Sequence, residues 1–198
     1  MNRTHLKLLS ACLVLALAGV IAANAQVAGA EELVRLGSIK TSKIETPKYE
    51  TKRNLQSYPS ATREQNWLEI ALPYKTSPDW MNELSITFYV LIDLKDDPVA
   101  KQKILVGTVD YVNIKKGVHR SVVYLHPSTL ERFGEPKRYA AVVRTSIDGR
   151  PVELATEDMT PWKQLAPESG LVLNRMETPF AMANFGDFEA LRNPQEKK

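Results

Sequence analysis

The sequence predicts an all-β protein: an antiparallel two-sheet sandwich of about seven strands, with one short helical turn and an apolar C-terminal extension. Apolar and polar residues alternate over several runs, which is the period of a strand with one buried face. Residues typical of turns separate these runs. No long helical period is present to supply the crossovers of a parallel sheet, so we expect antiparallel pairing.

Three strands are predicted in the first half of the chain. Residues 34–44 form a polar run typical of an edge strand, where Lys40 and Lys43 would discourage pairing with another sheet. Residues 68–74 alternate, and the turn-forming Ser77-Pro78-Asp79 separates them from the strongest alternation in the sequence. In that third run, apolar side chains occupy every second position, at Leu84, Ile86, Phe88, Val90, Ile92 and Leu94.

Four further strands are predicted after these. Residues 104–114 and 118–125 are β-rich runs separated by a turn that contains lysine and glycine. Residues 139–147 are apolar on both faces, as expected for a central strand. Asp148-Gly149 is the strongest hairpin signal in the chain, and it predicts that residues 151–155 return as the partner strand.

One helical turn is predicted between these strands. Ser128 and Glu131 have the spacing of a capping box, and Gly134 is typical of the position after a helix. The order of strand, helical turn, strand-opening Tyr139 and Asp148-Gly149 hairpin resembles part of an immunoglobulin-like or fibronectin-type domain. This resemblance implies that Tyr139 is the structural corner tyrosine, with its hydroxyl bonded back to the preceding turn. A half-buried tyrosine that simply opens a strand is the alternative.

The resemblance is to the disulfide-free members of that group. The chain has no cysteine pair between sheets, and Trp67 stands one strand earlier than the tryptophan of an immunoglobulin domain. More narrowly, an exported chain of this size with a sandwich and a proline-containing apolar tail resembles small immunoglobulin-like proteins associated with bacterial type IV pilus systems. That resemblance rests on the whole chain rather than on a motif. It implies a role in envelope or surface assembly, without catalysis.

The N-terminus has the pattern of a secretory signal. Arg3 and Lys7 precede an apolar run, and small residues follow around Ala25 and Ala30, after either of which a signal peptidase could cut. The run lacks the basic stop-transfer flank of a membrane anchor. We therefore expect residues 1–25 to be a signal peptide and the protein to be exported, to the periplasm or to the cell surface.

Removal of this segment leaves a nearly neutral protein. The whole chain has 26 basic and 23 acidic residues, a net charge of +3, and two of the basic residues lie in the predicted signal, so the remainder carries +1. Such a balance gives no overall attraction to nucleic acid or to anionic lipid.

Cys12 is the one cysteine, and it lies within the predicted signal. The run Leu9-Ser10-Ala11-Cys12 matches a bacterial lipobox by letter, but most of the apolar run follows the cysteine, which disfavours lipidation. The processed protein is therefore expected to have no disulfide, no thiolate nucleophile and no cysteine metal site.

The sequence changes character after residue 158, which divides the processed chain into a sandwich over residues 26–158 and an extension over residues 159–198. Prolines break any long helix or central strand in the extension, yet it is too apolar for a free linker. It either packs back over the sandwich or docks on a partner or a second copy. The candidate interaction residues are Met176, Phe180, Phe185 and Phe188.

Patterns for catalysis or metal binding are scarce. His119 and His126 are seven apart on one predicted strand, so they face opposite sides and cannot easily share a metal or a base role. The carboxylates that could hold calcium lack the turn glycine of a calcium loop: Asp93, Asp96, Asp97 and Asp110. Nucleophile elbows, zinc helices and phosphate loops are absent from the sequence. We therefore predict a non-enzymatic protein without cofactor or metal.

The sequence favours an exported, non-enzymatic protein of the cell envelope that binds other proteins through strand edges and its apolar tail. The expected partners are envelope or pilus proteins or a second copy, with no nucleic acid and no membrane span after signal removal. The alternative is a carbohydrate- or ligand-binding module that uses surface aromatics, with Trp67, Trp80 and Tyr89 as candidates, although Trp67 is also expected to pack under the tail. A hydrolase with a carboxylate site assembled from distant loops is the third hypothesis.

Overall fold

The computed structural model describes residues 33–47, 66–94, 102–147 and 150–182. The predicted signal peptide lies outside the described residues, and so do Phe185 and Phe188. Within the described ranges, none of the helices has the length and apolar character needed to cross a membrane.

The described chain is predominantly β-structure, which confirms the predicted all-β class. Its strands are β1 (Val34–Leu36), β2 (Lys40–Glu45), β3 (Asn66–Asp93), β4 (Gln102–Leu125), β5 (Arg138–Ile147), β6 (Arg150–Ala155), β7 (Pro167–Ser169) and β8 (Val172–Asn174). Helix α1 (Pro127–Phe133) lies between β4 and β5. Short 3₁₀ turns cover Pro161–Gln164, Arg175–Glu177 and Pro179–Met182.

The two longest strands form an antiparallel ribbon that runs through the molecule. β3 has 28 residues and β4 has 24, and they pair from Leu68 opposite Leu125 to Asp93 opposite Gln102. The register shifts once, between Thr76 and Trp80. The prediction of separate strands on either side of this point is wrong, because the turn-forming residues are accommodated as an irregularity in a continuous strand and do not reverse the chain.

All eight strands of the described chain belong to one sheet, in which the order β6-β5-β3-β4-β7 is extended by β1 and β2 on β3 and by β8 on β4. β1 and β2 pair with residues 66–76 of β3, whereas β5 pairs with residues 84–91. The ribbon therefore carries two groups of strands, one on each side of the register shift. The predicted arrangement of two separate immunoglobulin-like sheets is not confirmed.

The sheet is mixed, so the expectation of purely antiparallel pairing is wrong at one edge. Residues 167–169 of β7 run parallel to residues 104–106 of β4, while the other pairs are antiparallel. The prediction required a helical crossover for a parallel pair. Here the connection from β4 to β7 consists of α1, β5 and β6 instead, which is long enough to reverse the direction of the chain.

The main core is built by the residues whose alternation predicts it. Leu68, Ile70 and Leu72 from the first half of β3 share one buried cluster with Ile86 and Phe88 from the second half. Side chains of β4, β5, β6 and β8 complete the cluster, including Leu105, Val123, Ala141, Leu154 and Val172. Because one cluster contains both halves of the ribbon, the two groups of strands bury their apolar faces together.

Helix α1 occupies the predicted position, but its first turn is capped differently. His126 is the N-cap residue, and its ring nitrogen Nδ1 accepts a hydrogen bond from the Ser128 backbone N–H at 3.1 Å. The prediction placed the cap on Ser128. Pro127 accounts for the difference, because proline suits the first helical position, where its missing N–H costs nothing. At the other end, Gly134 has φ 86° and donates its backbone N–H to the Leu130 carbonyl, as predicted for a terminating glycine.

Candidate functional site

The described part of the extension, residues 159–182, pairs with β4 and packs against the sheet. Its strand β7 pairs with residues 104–106 of β4, and its strand β8 pairs with residues 123–125 of the same strand. The extension approaches β4 closely at Gly107, because an added Cβ there would be 2.4 Å from the Val172 carbonyl oxygen. The absence of a side chain at position 107 therefore permits this approach.

A first aromatic cluster joins the extension to the first half of the ribbon. Trp67 is buried and lies edge-on to Phe180, with 5.6 Å between ring centroids, and Phe180 stacks on Tyr124 at 4.8 Å. The Trp67 indole N–H donates to Thr46 Oγ1 at 3.0 Å. The predicted packing of Trp67 under the tail is thus confirmed, and the ring is not available for stacking on a sugar.

A buried arginine fixes the backbone of the extension above this cluster. Arg175 is 4% exposed, and its guanidinium donates to the carbonyl oxygens of Phe180 at 3.0 Å and Ala181 at 3.1 Å. The preceding residue, Asn174, forms a capping box with Glu177. These contacts tie residues 174–182 into one compact turn.

Polar groups of the sheet lie under the same segment. The Glu69 carboxylate is buried, forms an ion pair with Arg120, and accepts hydrogen bonds from Ser42 at 3.2 Å and Tyr124 at 3.5 Å. Burial, and then the negative charge of Glu69, raise the pKa of the Tyr124 hydroxyl well above its ordinary value. The arrangement therefore keeps the Tyr124 hydroxyl protonated at neutral pH.

The raised pKa of Tyr124 predicts a loss of stability at high pH. An unfolded tyrosine ionises near pH 10. The pKa of Tyr124 is higher in the folded protein. Its contribution to the free energy of unfolding is therefore complete below about pH 10 and declines as the pH rises towards the folded-state pKa. Denaturant unfolding at pH 8 and pH 11 should therefore show a smaller decline for Tyr124→Phe than for the unaltered protein. If the free energy of unfolding declines equally in the two proteins, the raised pKa of Tyr124 is contradicted.

A second aromatic cluster joins the extension to the other half of the ribbon. Trp162 is buried together with Ile104 and Ala140, and its indole N–H donates to Glu157 at 2.6 Å. Tyr89 lies edge-on to Trp162, with 6.3 Å between ring centroids. The extension thus contacts both groups of strands. Phe180 meets Trp67 of the first group, and Trp162 meets Tyr89 of the second.

The four candidate interaction residues of the extension have different surroundings. Met176 is 51% exposed, whereas Phe180 is buried in the first aromatic cluster. Phe185 and Phe188 lie outside the described residues. Met182, which sequence reasoning did not select, is 75% exposed. The sequence offered no signal to single it out, because the extension has no apolar period that separates inward from outward positions.

Tyr139 lies at the start of β5, as expected, and packs half-buried against the main core. Burial, and then the nearby Glu135 carboxylate, raise the pKa of its hydroxyl. Both the corner role and the simpler strand-opening role agree with this position, so the corner role stays a prediction.

The other candidate chemical groups have structural partners. His119 Nε2 lies 2.9 Å from Thr76 Oγ1, and His126 caps α1, so the two histidines are used separately. Asp110 accepts a hydrogen bond from Ser85 at 2.7 Å, and Asp93 accepts one from Gln102 at 3.0 Å. Asp96 and Asp97 lie outside the described residues. In the part of the chain that the structure describes, no group of three or more His, Cys, Asp or Glu side chains could hold a metal ion.

Residues of β1 and β6 line one cleft. The cleft has a volume of about 270 Å³ and is lined by Val34–Gly37 on one side and Leu154–Thr156 on the other. Among the described strands, β1 pairs with β3 and β6 pairs with β5, so each has one edge without a partner strand. Edges of this kind can accept an additional strand.

Comparison with known proteins shows a family and a fold. A protein-family model matches residues 25–194. Three chains of solved structures match, among them a crystal structure of a protein from Akkermansia muciniphila, with 21% identity and a TM-score of 0.65. That match covers 82% of this chain and 94% of the other. No curated protein matches the sequence.

Proposed function

Because the chain belongs to the family whose model spans residues 25–194, we propose that it is an exported, non-enzymatic protein of the cell envelope that acts by binding other proteins. The resemblance of the whole chain to small immunoglobulin-like proteins associated with bacterial type IV pilus systems supports a pilus-associated role. The signal pattern over residues 1–25 supports export. The partners are then envelope or pilus proteins, or a second copy of the chain.

The exposed apolar surface of the extension carries this proposal. The exposed Met176 and Met182 precede and follow the buried Phe180 in the chain, and Arg175 donates hydrogen bonds to the carbonyl groups of Phe180 and Ala181. A contact surface that is already ordered has less entropy to lose when a partner binds. Methionine side chains are flexible and polarizable, which suits them to contact with a protein surface. The strand edges beside the cleft between β1 and β6 offer a second mode of contact.

Co-purification from native envelopes tests the proposal. The double variant Met176→Asp/Met182→Asp should lose most of the cross-linked partners or oligomers, because two exposed apolar contacts become charged. Its free energy of unfolding should change little, since both side chains are exposed. Lys163→Asp is the matched control, because Lys163 is an exposed residue of the same extension and its replacement changes the net charge by as much as the double variant does. Unchanged capture by the double variant would show that the extension is not the contact surface.

Carbohydrate binding is the second candidate, and it rests on Trp80. Of the three aromatic candidates, Trp67 is buried and Tyr89 packs against Trp162, whereas Trp80 is 64% exposed. Glycan-array binding that disappears in Trp80→Ala would favour this function over protein contact. Binding that persists in the variant would exclude Trp80 as a sugar platform.

A further inference from the structure

The register shift of the ribbon creates a surface separate from the extension. We define the ribbon bend as residues 75–80 of β3 and 115–118 of β4. Among the described large apolar side chains, four are exposed, and two of these, Trp80 at 64% and Val118 at 79%, lie on the bend. The other two are the methionines of the extension. The bend is therefore a second place where apolar groups project from the molecule.

A buried threonine holds the bend in one conformation. Thr76 is fully buried, and its hydroxyl donates to the Lys115 carbonyl oxygen at 2.9 Å and accepts from the Gly117 N–H at 3.2 Å. His119 Nε2 lies 2.9 Å from the same hydroxyl oxygen. Gly117 has φ 150°, a backbone conformation that favours glycine. These hydrogen bonds fix the backbone on which the exposed Trp80 and Val118 stand.

Basic residues lie opposite the exposed apolar ones in the ribbon. Directly opposed residues in an antiparallel pair project from the same face. Arg35 opposes Lys75, Lys75 opposes Val118, and Lys115 opposes Trp80. With Lys116 the bend and its neighbouring strand supply four basic groups. Among the described residues of the bend and the next three positions of β3, two are acidic: Asp79, whose carboxylate is 3.8 Å from the Lys116 ammonium, and Glu83. The net charge of the whole chain conceals this local excess.

We propose that the ribbon bend binds the surface of a bilayer that contains anionic phospholipid. Trp80 and Val118 would enter the interfacial layer, where tryptophan is favoured, and the lysine ammonium groups would contact headgroup phosphates. A lipid surface fits the combination of an exposed tryptophan, which is favoured at a bilayer interface, with several lysines, which anionic headgroups attract. Each lysine or arginine near an anionic surface strengthens binding about fivefold.

Tryptophan fluorescence gives a direct test. The chain has three tryptophans, of which Trp67 and Trp162 are buried, so Trp80 is the one open to an aqueous quencher. The protein purified from native cells is mixed with vesicles of phosphatidylglycerol and phosphatidylethanolamine, or of phosphatidylcholine alone. With the anionic vesicles we expect a blue shift and protection from quenching. With phosphatidylcholine we expect neither.

Variants separate the bend from the rest of the molecule. Lys115→Glu/Lys116→Glu should bind the anionic vesicles at least tenfold more weakly than the unaltered protein. Raised salt concentration should also weaken vesicle binding by the unaltered protein. Lys163→Glu, an exposed lysine in the extension, and Met176→Asp/Met182→Asp should bind as the unaltered protein does. The proposal is overturned if Trp80 stays open to quencher on anionic vesicles, or if the lysine variant instead loses capture of an acidic envelope protein.

Discussion

Replacing Trp67 with alanine should lower the free energy of unfolding by about 3–5 kcal/mol, the range for removing a large buried aromatic side chain. Trp67 lies between the sheet and the extension, where its ring meets Phe180 and His126 edge-on. Its loss would leave a cavity beneath the extension and an unfilled hydrogen bond at Thr46. The effect should therefore reach both the sheet and the segment that covers it.

Urea unfolding followed by circular dichroism measures this change. Trp80→Ala is the matched control, because Trp80 is exposed and its removal should alter stability by no more than about 0.5 kcal/mol. Equal midpoints for the two variants would mean that the extension does not pack on Trp67. Both variants replace tryptophan with alanine, one beneath the extension and one exposed. The difference between their free energies of unfolding therefore measures the effect of burial beneath the extension.

Replacing Arg175 with methionine should release the end of the extension, at a cost of about 3 kcal/mol for the lost hydrogen bonds from a charged donor. The guanidinium bonds two carbonyl groups of residues 180–181, and methionine fills similar space without any donor. Because the main core does not include this turn, the sheet should stay folded while the turn opens.

Limited proteolysis followed by mass spectrometry distinguishes local release from global unfolding. In Arg175→Met, cleavage within residues 175–182 should become faster, while the fragment that contains β1–β6 persists. Lys163→Met, which removes an exposed positive charge from the same extension, should leave the cleavage rate unchanged. Protection equal to that of the unaltered protein would show that Arg175 does not hold the turn.

Much of the sheet could be predicted because it depends on local pattern. The alternation over residues 84–94 placed Leu84, Ile86 and Phe88 in the core, where the structure has them. Gly134 marked the end of α1 for the same local reason, since its positive φ is costly for other residues.

The continuity of the ribbon could not be predicted from the same rules. Ser77-Pro78-Asp79 has the chemistry of a turn, yet whether it reverses the chain is decided by the partner strand. Thr76 bonds to Lys115 and Gly117, some forty residues away, and these contacts keep β3 running through the shift. Patterns among neighbouring residues do not predict a pairing between distant segments.

The candidate contact surface was predicted in part. The apolar extension was recognised from composition, and Met176 was selected. Which of its apolar residues point inward depends on tertiary contacts: Phe180 faces Tyr124 and Trp67, and Met182 is left outside. An irregular segment without a strand or helix period carries no local signal for that choice.

The shared ribbon has a mechanical consequence. β3 and β4 pass through both groups of strands, so neither group can be pulled away while the ribbon remains paired. A load applied along the ribbon axis would act on its interstrand hydrogen bonds in shear, with many resisting together instead of opening one after another. A protein built in this way would transmit tension as a single stiff link.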